Sequence, residues 1–268
     1  MSPWNNYRLQ ASKCKKIVKI AMIGKYVDLA DSYKSLNEAL YHAGIINNRI
    51  VEITYLDSEK ITKKTVKKLS KMDGILVPGG FGNRGIEGKV LAAEYARVNN
   101  VPYLGICLGM QISVIEFARN VLKLKNANST EFNNKTRHPV VALVNEWRDS
   151  SGKKIISDKK NMGGTMRLGS QGCALEKKSL AYKMYKKSVI NERHRHRYEV
   201  NNGLIELFDA SGLVFSGKSK KGNLMEIIEL KSHPWYVGCQ FHPEFTSSPI
   251  SGHPLFNGFI AASAKNRK

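Results

Sequence analysis

Apolar residues along this chain fall into short runs separated by charged stretches of helical period, and that alternation predicts the fold. Residues 17–24 (IVKIAMIG) form an apolar, β-rich run. Asp31-Ser32 offers a helix start, Leu36, Ala39, Leu40 and Ala43 recur at helical spacing, and Gly44 is the expected terminator. A second strand is predicted over 49–56, a charged helix over 61–71, and a third strand over 74–78 that ends in Gly79-Gly80. A helix over 86–97 leads to a buried strand, 101–106, which runs into Cys107, and a second helical pattern spans 110–119. Strands alternating with helices need crossover connections, so the expected fold is α/β, an open and mostly parallel central sheet flanked by helices.

The second half reads differently. Shorter β-like segments around 140–144, 165–168, 189–200, 213–217 and 224–230 predict additional mixed or antiparallel strands before a last strong strand, 235–241. The lysine-rich stretch 150–162 is expected to be a loop, and residues 1–16 are expected to be the remnant of an interdomain linker, with one domain over 17–268. There is no internal repeat.

Composition narrows the class. With 268 residues, 42% of them hydrophobic, the chain can bury a substantial core. It has no run of eighteen apolar residues, and its first residues (MSPWNNYRLQASKCKK) lack the apolar middle of a signal peptide, so the expected location is the cytoplasm. Four widely spaced cysteines, Cys14, Cys107, Cys173 and Cys239, form no CxxC pair, which argues against a zinc site and against a disulfide framework. The formal charge of +21, from 43 basic and 22 acidic residues, raises a nucleic-acid reading. Much of the excess, however, lies in scattered pairs such as Lys63-Lys64, Lys67-Lys68, Lys177-Lys178 and Lys186-Lys187, and no nucleic-acid motif accompanies them. A lysine-rich solvated surface is the expectation.

Two segments carry candidate chemistry. Gly105-Ile106-Cys107-Leu108-Gly109 follows a buried strand and opens a helix, the setting of a nucleophile elbow with cysteine in place of serine. At such a sharp turn the flanking glycines allow close backbone approach, and a thiolate at a helix N-terminus gains from unpaired N–H groups. The Leu108 amide would face a developing oxyanion, and the glycine-rich Val77-Pro78-Gly79-Gly80-Phe81-Gly82 could turn a second N–H toward it. A small buried core cysteine and a plain tight turn are the alternatives. In Gln240-Phe241-His242-Pro243-Glu244-Phe245, His242 and Glu244 would share one face if extended, giving a general base and the acceptor that fixes its tautomer. A surface pair or stray metal ligands would use the same residues. Arg193-His194-Arg195-His196-Arg197-Tyr198 could equally form a basic-aromatic patch or, through His194 and His196, a metal site.

Taken together, these segments resemble the class I glutamine amidotransferases, and within them the glutaminase domains of the CTP synthase family. The finer resemblance rests on Gly24-Lys25-Tyr26, Ser32-Tyr33-Lys34-Ser35, GGFGNRGIEG over 79–88, GICLGMQ over 105–111, NMGGTMRL over 161–168, ERHRHRYEVN over 192–201 and CQFHPEF over 239–245. It implies a class I amidotransferase-like fold and a Cys107-His242-Glu244 triad that hydrolyses L-glutamine through a γ-glutamyl thioester. It further implies oxyanion amides from Gly80 and Leu108, and glutamine contacts from Gly80, Leu108, Gly109, Met110, Gln111, Glu131 and Arg197. A carboxylate such as Glu131 suits an α-ammonium and a guanidinium such as Arg197 an α-carboxylate.

The same resemblance implies a lid of Phe81, Arg84, Gly85 and Glu87 through which GTP activates hydrolysis, and no cofactor or metal within this domain. ATP, Mg2+ and UTP would belong to an amidoligase domain that this chain lacks, and the full enzyme would be a homotetramer. Two rival readings are a hydrolase of another γ-glutamyl compound and a non-catalytic regulatory or filament-contact module.

Overall fold

The computed structural model describes residues 2–25, 30–143, 146–148, 154–156, 166–220 and 224–266. Helix α1 (Pro3–Lys13), capped by the Ser2 side chain, buries none of its residues and lies outside both cores. The parallel half of the fold then runs β1 (Lys16–Gly24), α2 (Lys34–Ile46), β2 (Arg49–Asp57), β3 (Gly74–Val77), α3 (Ile86–Val98), β4 (Tyr103–Ile106) and α4 (Leu108–Asn120). Within β1, Ile20 and Met22 pack on one face of the sheet while Ala21 and Ile23 pack on the other, as a strand period of two requires. Both faces are covered, α3 and α4 on one side and α2 on the other, which explains the unbroken apolar runs.

After two short strands, β5 (Asn128–Ser129) and β6 (Pro139–Leu143), β7 (Glu146–Arg148) pairs antiparallel with β8 (Lys154–Ile156). There follow β9 (Arg167–Leu175), α5 (Leu180–Tyr185), β10 (Val189–His196), β11 (Tyr198–Val200), α6 (Ile205–Ala210), β12 (Leu213–Ser219), β13 (Met225–Leu230), β14 (Tyr236–Cys239) and α7 (Pro254–Asn266). One nine-stranded sheet has the order β10-β9-β12-β13-β14-β4-β3-β1-β2. Its β14-β4-β3-β1-β2 portion is parallel. The remaining strands extend the same sheet antiparallel from β14. The additional strands expected from the sequence are therefore mostly a continuation of the central sheet rather than a separate layer.

Several local expectations are corrected. Gly44 does not end its helix, which runs on to Ile46; a Cβ there would meet Val51 Cγ2 at 2.7 Å, so this glycine lets α2 lie close to β2. The charged stretch 61–71 is not an α-helix but turns and a 3-10 segment, Val66–Lys71. Hydroxyls compete with the helix ladder there: Thr62 N–H donates to Thr65 Oγ1 and Thr65 Oγ1 donates to Lys60 O, both at 2.8 Å. Within 150–162, expected as a loop, residues 154–156 are a strand, and the rest of that stretch lies outside the described residues. Tyr26 and residues 161–165 also lie outside them.

Candidate active site

Strand register fixes where the candidate residues meet. β3, β4 and β14 are adjacent and parallel, with Val77 opposite Gly105 and Cys239 opposite Ile106. The segments that leave their C-terminal ends, Pro78-Gly79-Gly80, Cys107 and Gln240 to Glu244, must therefore emerge side by side, where open α/β sheets bind ligands.

Cys107 is buried and has φ 52° and ψ −103°, a left-handed, strained conformation for a residue with a Cβ. The sheet and the helix hold it there: its N–H donates to Cys239 O at 2.7 Å, and its carbonyl accepts from Met110 and Gln111 in the first turn of α4. The flanking glycines are required by contact. A Cβ on Gly109 would lie 2.1 Å from Val77 O, and one on Gly105 would lie 2.6 Å from Gly109 backbone. Leu108 opens α4, so its N–H has no intrahelical acceptor. Gly80 lies against Leu108, with 3.4 Å from an added Cβ to Leu108 Cδ2.

His242 reaches the sulfur from β14. Its backbone N–H donates to Arg193 O at 2.8 Å, its Nδ1 pairs with Glu244 Oε1 at 2.8 Å, and its ring stacks on Phe245. The pair is not made on an extended strand: Pro243 opens a 3-10 turn, Pro243–Thr246, that brings Glu244 round to the ring. Nε2 is buried without a conventional hydrogen-bond partner among the described residues, and Cys107 is the group beside it. Burial would depress the imidazole, but Cys107 and Glu244 outweigh it and lift its pKa to about 10. The favoured state is thus imidazolium, with its free N–H on the sulfur side.

Of the other expected contacts, Gly109 and Met110 are buried in the first turn of α4. Gln111 is buried as well, and its Nε2 donates to Tyr198 O at 2.9 Å and to Gln240 Oε1 at 3.1 Å, which leaves only its oxygen for a substrate. Glu131 accepts the Gly82 N–H at 2.8 Å; burial raises its carboxyl, opposed by that N–H and by Lys25, Arg197 and Lys89. Phe81, Arg84, Gly85 and Glu87, expected to form a lid, lie at or near the surface. Phe81 is 46% exposed, Arg84 donates to Lys25 O at 2.7 Å and pairs with Glu59, and Glu87 pairs with Arg119. Gly85 caps α3 at φ 71°, packed so tightly on Ser58 that a Cβ would lie 2.0 Å from its hydroxyl. Lys25 Nζ donates to Phe81 O.

Sequence reasoning missed several residues that shape the site. Gly79 has no room for a Cβ, which would lie 2.8 Å from His242 Cε1 and 3.5 Å from Cys107 Cβ. Gln240, fully buried, donates from Nε2 to Cys107 Sγ at 3.7 Å; its place beside the FHPE run was the available signal. Lys89 is only 1% exposed, and burial, with repulsion from Lys25 and Arg84, draws its ammonium down to about 8 against the pull of Glu131. Glu192 accepts from Thr246 at 3.0 Å and from Tyr185 at 2.8 Å, and meets His253 at 3.0 Å, tying β10 and the start of α7 to the turn after His242.

The Arg-His repeat is resolved by strand alternation. His194 and His196 point into the protein and Arg193 and Arg195 out of it. Inside, Arg167 bridges Glu199 at 2.6 Å and Glu226 at 2.8 Å, and His196 meets Glu199 at 2.6 Å. Burial first, and then neighbouring cations including Arg167 and His242, hold both imidazoles neutral. Among the described residues no group of three or more His, Cys, Asp or Glu side chains is arranged to hold a metal ion.

The family described as glutamine amidotransferase class-I matches residues 28–262. The glutaminase domain of Trypanosoma brucei CTPS, solved with bound acivicin, is 40% identical, with a TM-score of 0.83 over 92% of this chain and 94% of that one. A glutamine amido transferase from Methylobacillus flagellatus shares 10% identity at a TM-score of 0.50 over 94% of each chain, a likeness of fold alone. On the family match and this relative, the chain belongs to the class I glutamine amidotransferase family as a glutamine-hydrolysing glutaminase domain of the CTP synthase type.

Proposed function

We propose that hydrolysis proceeds through a γ-glutamyl thioester on Cys107. The observation that carries this reading is the convergence of the strained Cys107 turn with the His242–Glu244 pair at the adjacent ends of β4 and β14. The sulfur attacks the side-chain carbonyl carbon of glutamine, forming a C–S bond while the carbonyl electron pair moves to oxygen. The oxyanion is met by the amides of Gly80 and Leu108. As it collapses the C–N bond breaks, and His242 gives its proton to the departing nitrogen, so ammonia leaves. Water, deprotonated by His242, then attacks the thioester, the C–S bond breaks, and glutamate is released with the thiolate restored. Glu131 and Arg197 hold the two charged ends of the amino acid, the first by giving up the Gly82 amide or sharing its second oxygen.

The ammonia would serve an ATP-dependent amination of UTP to CTP on an amidoligase domain that binds ATP, Mg2+ and UTP, in a homotetrameric cytoplasmic enzyme. GTP activation would act on the lid. Phe81 offers an exposed ring for a base, while Arg84 donates to Lys25 O and pairs with Glu59, so this domain by itself supplies only part of a nucleotide's contacts. A nucleotide shifts an equilibrium only through differential affinity for its two states. The isolated domain should therefore hydrolyse glutamine slowly, with little acceleration by GTP. Ammonia release at saturating glutamine, with and without GTP, for this chain alone and joined to an amidoligase domain, tests this. Strong activation of the isolated chain would contradict it.

A further inference from the structure

We propose that Gln240 is a catalytic residue whose side-chain amide donates a hydrogen bond to the Cys107 sulfur, holding it as a thiolate, and that Gln111 positions that amide. The inference rests on Cys107 being the nucleophile and adds the group that stands behind it.

One group in the chain of contacts has only one polarity. The Tyr198 carbonyl can only accept, so the Gln111 end that faces it at 2.9 Å must be the NH2. The second hydrogen of that NH2 meets the Gln240 side chain at 3.1 Å, which must therefore present its oxygen. The other end of the Gln240 amide, its NH2, then faces Cys107 Sγ at 3.7 Å. Each amide orientation is dictated by the one before it, and Gln111, Gln240 and Cys107 are all buried. The Gln240 backbone is fixed independently, since its N–H donates to Glu226 O at 2.8 Å.

A donor in this place discriminates between forms of the sulfur. A thiol offers it a weak acceptor, whereas a thiolate makes a charge-assisted hydrogen bond with it, so the contact favours the reactive form. Gln240 carries no charge and does not compete with the imidazolium for the leaving group, so one side of the sulfur is stabilised while His242 remains free to transfer its proton. The other titratable groups that face the sulfur are His242, on the segment after β14, and Cys239, at the end of that strand. Neither is altered by the variants below.

The test is alkylation of the whole chain by iodoacetamide, in which the sulfur displaces iodide, followed by peptide mass spectrometry from acid to alkaline pH. Cys14, partly exposed and remote from the site, is an internal reference. Gln240→Met fills nearly the same volume without a donor. It should slow alkylation of Cys107 about tenfold at neutral pH, move its pH midpoint up by about one unit, lower kcat more than KM changes, and leave Cys14 untouched. Gln111→Met should shift the profile in the same direction by less, and it keeps the test available if Gln240→Met does not fold. Gln240→Glu should be slow at neutral pH and approach wild type in acid, where the carboxyl can donate. An unchanged Cys107 profile in any folded variant of Gln240 would overturn the inference. Failure of the underlying reading would look different: wild-type Cys107 would react no faster than Cys14.

Discussion

Gly79 carries no chemistry of its own, yet it lies against both Cys107 and His242. An added Cβ would strike the His242 ring at 2.8 Å, and a ring can yield where backbone cannot. Gly79→Ala should therefore fold normally, with a melting temperature within a few degrees of wild type, and lose about 10²-fold in kcat, the scale of a misplacement near one ångström. Steady-state ammonia release beside a thermal melt checks both halves. The second residue-scale prediction concerns pH. Because the folded imidazole is raised to about 10 from an ordinary value near 6.5, it stays protonated through neutral pH. The linked stability is fully present below about 6.5 and is lost as pH rises through about 10. Activity should fall along an alkaline limb near pH 10, and Glu244→Gln, which removes one of the groups raising the imidazole, should move that limb to lower pH. A pH–rate profile of both proteins decides it. Cys107, His242 and Glu244 were legible as candidates because each sits in a short run whose chemistry is local. Gly79 and Gln240 were not, since what makes them matter is a neighbour more than 130 residues away in sequence.

At the scale of elements, the strands that border the site are pinned by a buried charge cluster. Arg167 on β9 holds Glu199 on β11 and Glu226 on β13, and Glu226 in turn fixes the Gln240 backbone beyond β14. Burial, with repulsion from Glu199, raises the Glu226 carboxyl to about 7 against the opposing pull of Arg167. Removing the one cation leaves two carboxylates in a dry space. Arg167→Met should destabilise the domain by roughly 3–5 kcal/mol, visible as a lower midpoint in denaturant unfolding, whereas an exposed Arg195→Met on the outer face of β10 should change it little. The parallel strands were legible from their apolar runs, since both faces of the sheet are covered. The 61–71 segment was misread because helical period survives in a stretch whose threonine hydroxyls take over the backbone. Helix α7 was not anticipated, although Leu255, Phe256, Phe259 and Ile260 carry its spacing and all are buried against the sheet.

For the whole molecule, the +21 charge resolves largely into a solvated surface. Lys63, Lys64, Lys67, Lys68, Lys177, Lys178, Lys186 and Lys187 are all exposed, and Lys89 is a buried exception. No helix among the described residues is long and apolar enough to cross a membrane. What organises the chain is one sheet whose parallel half delivers three loops to a common edge, and the central claim is that Cys107 at that edge becomes acylated. The most direct measurement is acid quenching of the domain during turnover of isotopically labelled glutamine, followed by peptide mass spectrometry. A labelled γ-glutamyl adduct is expected on the Cys107 peptide in wild type, and neither adduct nor ammonia release from folded Cys107→Ala. Label on another residue, or continued turnover by Cys107→Ala, would contradict it.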